Sequence, residues 1–286
     1  MPPATLYLAS SPESGGLAAL PAAAAIFGAP LDLTESFRSG SRGGPDAVRY
    51  MSDGLESYSP VLNRDLEDLI LRDLGDVRLE GLTHVSEALE QISGGMAFAA
   101  SEATLAVMLG GEHTASLGGF RGLKRVHPDA VILQADAHLD MRPEYAGQSF
   151  THATWLNHVG QEFGFASIHQ VGLRSGDRAE WELARRQTAW SSTELSLPQA
   201  IRDQIGQLPV YVSIDIDVLD PAHAPGTGCP EPGGVTFREL VAFLYGLQGL
   251  RVVALDVMEV SPNLDAANIT AAAAAKLVRE AILLFG

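Results

Sequence analysis

Cysteine is almost missing from this chain: of 286 residues only Cys229 is one. No disulfide can form within the chain, which fits a reducing compartment and a cytoplasmic location. The N-terminal Met-Pro-Pro-Ala-Thr has no basic residue followed by an apolar run, so no signal peptide is expected. No apolar stretch approaches the roughly 18 residues that a membrane span requires. Positive charge is scarce as well, with 19 lysines and arginines against 35 aspartates and glutamates and a net charge of −16. Phosphates would be repelled by that balance, so neither nucleic acid nor a membrane surface is an expected partner, whereas a small cation is compatible with it. Linkers, repeats and low-complexity tails are missing too. One domain over residues 1–286 is the expectation, with a core that needs no covalent staples.

Short apolar runs alternate with amphipathic stretches along nearly the whole chain. Residues 23–27, 104–109, 130–133, 168–172, 210–216 and 252–257 read as strands, and 69–74 more weakly. Several are continuously apolar, as strands covered on both faces are. Helices are predicted over 45–51, 85–100, 117–126, 178–186, 236–247 and 270–284, although Gly94-Gly95 weakens the middle of the second. Such alternation implies a mainly parallel sheet with helices on both faces, and ligands then sit beyond the carboxyl ends of the strands. The two long irregular stretches, 147–152 and 222–234, both follow strands.

Three clusters of metal-ligating residues occur at those strand ends. Gly110-Gly111-Glu112-His113 follows the run 104–109, and its paired glycines permit a tight turn that presents His113. Asp136-Ala137-His138-Leu139-Asp140 follows 130–133. In an extended chain Asp136, His138 and Asp140 would share one side. Two carboxylates and an imidazole on a buried face need a compensating cation. Asp215-Ile216-Asp217 closes 210–216 and poses the same problem of like charges. Each cluster alone has an ordinary structural explanation: a buried histidine, a solvated edge, a strand-end cap. Together they give two histidines and four aspartates at the ends of three strands. Oxygen ligands with some imidazole suit Mn²⁺ better than a thiolate-seeking metal. Two divalent ions would match the four carboxylates, and a pair roughly 3.5–4 Å apart activates water at neutral pH.

These motifs, in this order, resemble the metal motifs of the ureohydrolases, the arginase–agmatinase family. Gly28-Ala29-Pro30 with Gly43-Gly44-Pro45, Ala224-Pro225-Gly226-Thr227-Gly228, Pro230-Glu231-Pro232-Gly233-Gly234 and Asp256-Val257-Met258-Glu259-Val260 extend the likeness over most of the chain. The resemblance implies a single three-layer α/β/α domain with a mostly parallel sheet of about eight strands, and homo-oligomers, commonly trimers or hexamers. It implies two Mn²⁺ per subunit, His113 and Asp140 on one, His138 and Asp217 on the other, with Asp136 and Asp215 bridging. Water activated by the ions would attack a guanidinium carbon, oriented by Asp140. Glu259 would bind the guanidinium by two parallel, charge-assisted N–H bonds. His152, in Ser149-Phe150-Thr151-His152-Ala153, would pass a proton to the leaving amine.

Two places depart from the family's pattern. Cys229 stands where a threonine is usual, and a thiol is the weaker donor for holding Glu259. Residues 38–42, Arg-Ser-Gly-Ser-Arg, follow the N-terminal signature only loosely. The arginase pattern of amino-acid-gripping residues is missing from Met141-Arg142-Pro143-Glu144-Tyr145, and the motif forms look like agmatinases. Agmatine, cleaved to putrescine and urea, is therefore the expected substrate, with Glu144 or Glu231 as candidate partners of its amine. A guanidino acid such as guanidinobutyrate, held by Arg142, is the alternative. A catalytically silent scaffold and a one-metal zinc deacetylase fit a full set of six ligands less well.

Overall fold

The structure, a computed structural model, describes residues 6–12 and 21–286. Residues 1–5, read above for a leader, lie outside the described residues. Among the described residues, eleven strands and eight helices alternate. β1 (Ser11–Pro12) and β2 (Ala22–Ala29) lead to α1 (Gly44–Ser52), a small hairpin of β3 (Tyr58–Ser59) and β4 (Arg64–Asp65), and β5 (Leu71–Asp76). Then come α2 (Val85–Glu102), β6 (Ala103–Gly110), α3 (Ala115–Val126), β7 (Val131–Ala135), α4 (Trp155–Phe163) and β8 (Ile168–Val171). α5 (Arg178–Gln187), β9 (Trp190–Ser191), α6 (Gln199–Ile205), β10 (Pro209–Asp215), α7 (Phe237–Gly246), β11 (Arg251–Met258) and α8 (Ile269–Phe285) complete it.

Nine strands form one sheet in the order β1-β5-β2-β6-β11-β10-β7-β8-β9, and every pairing in it is parallel. The count exceeds the expected eight because the two edge strands are only two residues long. Alternate residues of each strand feed two apolar layers. In β6, Leu105, Val107 and Leu109 join one with residues of α1, α6, α7 and α8. Ala106 and Met108 join the other with α2, α3, α4 and α5. Each such leucine or valine contributes about 1.5–3 kcal/mol on full burial, so both faces must be covered, and the runs are nearly all apolar for that reason. No helix of the described residues is long and apolar enough to cross a membrane.

The order of connection makes the site. From β6 the chain crosses three positions to β7, and β10 and β11 later return to fill the gap between them. Four adjacent strands, β6-β11-β10-β7, thus end side by side on one edge of the sheet. α2 runs through Gly94-Gly95 unbroken, contrary to the weakness expected there. Packing overrides propensity: α3 lies so close that a Cβ on its Gly122 would sit 2.3 Å from the Ser93 carbonyl of α2. Capping boxes at Asp177/Glu180 and Thr236/Glu239 start α5 and α7.

Candidate metal centre and active-site cleft

His113 lies in the turn after β6. That turn needs Gly111, whose Cβ, were there one, would meet the Leu31 carbonyl oxygen at 2.0 Å. Asp136 directly follows β7, Asp215 ends β10, and Glu259 directly follows β11. His138, Asp140 and Asp217 reach the same place by turns and not by the strand alternation that the spacing suggested. The Asp136 carboxylate accepts from His138 N at 2.6 Å, and that of Asp215 from Asp217 N at 2.8 Å. Asp140 turns inward with a φ of 53°, and Glu259 has a φ of 64°.

All six expected ligands converge. His113 Nδ1 is 3.1 Å from Asp136 Oδ2, 3.1 Å from Asp215 Oδ2 and 3.4 Å from Asp140 Oδ2. His138 Nδ1 is 2.9 Å from Asp217 Oδ2 and 3.7 Å from Asp136 Oδ1. Two groups have donor atoms close enough to hold a cation, His113–Asp136–Asp140 and Asp136–His138–Asp217, with Asp136 common to both. The electrostatics demand positive charge here. Burial, with Asp217 and Asp136 beside it, raises the Asp215 carboxyl well above the usual carboxylate range. Burial pulls the His113 imidazole down, but the three carboxylates outweigh this and hold it well above its ordinary value. His138 is raised likewise, against burial, by Asp217 and Asp136. His113 Nδ1 is buried and makes no hydrogen bond. Its distances to three carboxylate oxygens suit a shared cation, and the donor set fits a pair of divalent ions.

The ligands are clamped from outside. The indole Nε1 of the fully buried Trp155 donates to Asp140 Oδ2 at 2.8 Å, and its ring lies 4.6 Å from that of His113. Gln134 Nε2 donates to Asp136 Oδ2 at 2.6 Å and is itself held by Gln170. Arg174 bonds the carbonyls of Asp217 and Glu231 at 2.6 and 2.7 Å, tying the β10 turn to the loop beyond it. None of these was singled out from the sequence. Trp155 follows His152 by three residues.

A cleft of about 230 Å³ opens over this cluster, lined by His113, His138, Asp140, Asp215, Asp217, His152 and Glu259 among others. Glu259 Oε1 accepts from His113 N at 2.7 Å. Burial raises its carboxyl well above the ordinary range, the His113 bond opposes this, and Glu112 and Glu35 add to it. His152 Nδ1 donates to the Thr34 carbonyl at 2.9 Å, and Nε2 is 3.1 Å from Ser36 Oγ. Burial lowers its pKa. Cys229 lines the cleft, and burial beside Glu259 pushes its thiol up to about 12. The loosely matching segment has a function after all: Arg38 bonds the carbonyls of Thr227 and Gly228 and so fixes the Cys229 loop.

At the mouth the expectations need correcting. Glu144 is exposed and Glu231 contacts Arg174 through its carbonyl, so neither lines the cleft. Apart from the aspartates of the cluster and Glu259, the carboxylate that does is Glu180, the capping-box residue of α5. Arg142 also lines it, 3.2 Å from Glu180 Oε2 and over the Tyr145 ring.

Comparison with known proteins agrees with this geometry. The arginase family model matches residues 22–284. The agmatinase of Bacillus anthracis is 38% identical over 263 residues, 90% of this chain and 90% of that protein. The guanidinobutyrase of Pseudomonas aeruginosa is 32% identical, over 90% of this chain and 84% of its own. The solved agmatine ureohydrolase of Thermoplasma volcanium superposes with a TM-score of 0.79 at 31% identity, covering 92% of this chain and 89% of that one. The fold, the two clusters of metal-ligating side chains and these matches over most of the chain lead to one conclusion: the protein is a member of the arginase family.

Proposed function

We propose that this protein hydrolyses agmatine to putrescine and urea, a polyamine-forming step, with two Mn²⁺ held by His113, Asp136, Asp140, Asp215, His138 and Asp217. The observation that carries the reading is the convergence of these six side chains with Glu259 and His152 around one cleft. His113 and Asp140 would hold one ion and His138 and Asp217 the other, with Asp136 and Asp215 available to both. Bound there, the ions supply activation of water for attack at neutral pH.

The chain's own residues do the rest. Glu259 has Oε1 committed to His113 N, which fixes the carboxylate so that it receives the guanidinium edge-on. Planar, bidentate contact of this kind orients the carbon toward the metal cluster. His152 has its Nδ1 proton directed at Thr34 O, so Nε2 is the nitrogen free to exchange a proton. Burial lowers its pKa, which favours the neutral ring that takes a proton from the attacking water and delivers it to the departing amine. Asp140, locked by Trp155, orients the attacking water.

Glu180 at the mouth suits the cationic amine of agmatine. Arg142 on the same wall supports a second reading, hydrolysis of a guanidino acid whose carboxylate it would bind. Urea release from agmatine, arginine, guanidinobutyrate and guanidinopropionate by Mn²⁺-loaded protein separates them. Preference for agmatine upholds the first reading; turnover of an acid alone replaces it with the second. No urea from any of the four, with two ions bound, would sink both. A cytoplasmic location, supported by the single cysteine, and a homo-oligomer, trimeric or hexameric, complete the proposal.

A further inference from the structure

Asp256 sits inside β11, fully buried, and takes no part in the chemistry above. No arginine or lysine among the described residues neutralises it. Its Oδ2 accepts from Tyr211 OH at 2.6 Å and Ser116 Oγ at 2.7 Å, and Oδ1 has no partner. Beyond Ser116 the contacts continue. Ser213 Oγ is 3.4 Å from Ser116 Oγ and 2.9 Å from His113 Nε2. The chain thus joins a buried carboxylate on β11 to a histidine after β6, through hydroxyls from α3 and β10.

With each of these contacts a hydrogen bond, donation runs one way along it. A carboxylate can only accept, so Ser116 and Tyr211 both donate to Asp256. The single Ser116 proton is then committed, and its oxygen accepts from Ser213. The Ser213 proton is committed in turn, and its oxygen accepts from Nε2–H of His113. With a divalent ion in place of a second ring proton, an imidazole protonated on Nε2 offers its lone pair at Nδ1. That atom has no hydrogen-bond partner and stands 3.1–3.4 Å from three carboxylate oxygens. A lone pair facing carboxylates is repulsive unless a cation lies between them.

We infer that Asp256 is a positioning residue for the metal centre: through Ser116 and Ser213 it keeps the His113 proton on Nε2, so that Nδ1 remains the donor to a divalent ion. A buried carboxylate with one oxygen unpaired destabilises the fold on its own; orienting a ligand gives it a use. The inference rests on the proposed role of His113 as a metal ligand, so it is tested by metal binding without substrate.

Metal-stripped protein is titrated with MnCl₂ in a calorimeter, for wild type, Ser213→Ala, Ser213→Thr, Asp256→Asn and the Ser213→Ala/Asp256→Asn double variant. Wild type should bind two ions. Ser213→Ala and Asp256→Asn should each lose about 10–100-fold in affinity at one site, the usual effect of removing an outer-shell partner. The other site should keep its affinity. The double variant should bind no more weakly than the weaker single one, because both act through one chain. Ser213→Thr, which keeps the hydroxyl, should restore binding. A merely structural role would weaken both sites, add in the double variant and ignore the hydroxyl. Any of those results, or unchanged affinity in Ser213→Ala, overturns the inference. Should Asp256→Asn fail to fold, the Ser213 pair decides alone. Wild type that bound no manganese would overturn the inference and the metal reading together; two ions bound without urea release would leave the inference standing and remove only the reaction.

Discussion

Asp136 belongs to both donor groups and Asp215 lies against His113 beside them, while Glu259 and His152 only border them. Substitution should therefore separate two phenotypes. Asp136→Ala or Asp215→Ala should lose both metal and activity, because on the proposed reading each would remove a carboxylate shared between two ions. Glu259→Ala and His152→Ala should keep two metals by elemental analysis. His152→Ala should lower kcat by about 10²–10⁴-fold, the usual worth of one acid–base group. Glu259→Ala should lower kcat/KM by about 10²-fold or more, from two charge-assisted bonds at about 1.5–3 kcal/mol each. Metal loss in Glu259→Ala would contradict its assignment. At this scale the sequence was informative where chemistry is local. Each ligand cluster lies within five consecutive residues, and its spacing could be read directly. What holds the ligands was not legible: Thr34 reaches His152 across 118 residues and Ser213 reaches His113 across 100. Such pairings exist only once the strands have been ordered.

Strands and helices tell a similar story at the next scale. The central strands were read to within two residues of their ends, because burial on both faces leaves a nearly all-apolar run. The edge strands β1 and β9, two residues each, carry no such signal. Two short helices escaped as well. α4 and α6 span nine and seven residues, and neither has a side-chain cap to announce it. The interior of α2 was doubted on its glycines, yet Gly95 lets Val77 and Phe27 close on that helix, and Gly118 and Gly122 let α3 do so. Gly122→Ala tests this. Alanine should favour an isolated helix by about 1 kcal/mol. Here the added methyl would meet the Ser93 carbonyl at 2.3 Å, and overpacking of this kind costs about 1–3 kcal/mol. The denaturation midpoint should fall; a neutral or raised midpoint would mean that α3 shifts freely against α2.

For the whole molecule, the crowding of carboxylates makes stability depend on what the cleft holds. A ligand that binds only the folded state stabilises it by about 2.7 kcal/mol at 100 times its Kd and about 4.1 at 1,000 times. Chelation with EDTA should therefore lower Tm by several degrees in calorimetry, and Mn²⁺ in excess should restore it. A Tm indifferent to both would remove the metal reading. The net charge of −16 argued against nucleic acid as a partner, yet it did not locate the site. Sheet order did that, by setting β6, β11, β10 and β7 side by side, and no local pattern in the sequence encodes the crossing from β6 to β7.

Asp140 and Glu259, with φ of 53° and 64°, occupy left-handed backbone that costs an L-residue about 1–2 kcal/mol. Glycine at either position would relax the chain and silence the site. Selection for a sturdier fold and selection for turnover therefore pull these two positions in opposite directions. Among related chains that have given up catalysis, these are the places where glycine should take hold first, while the buried strands beneath them stay as they are.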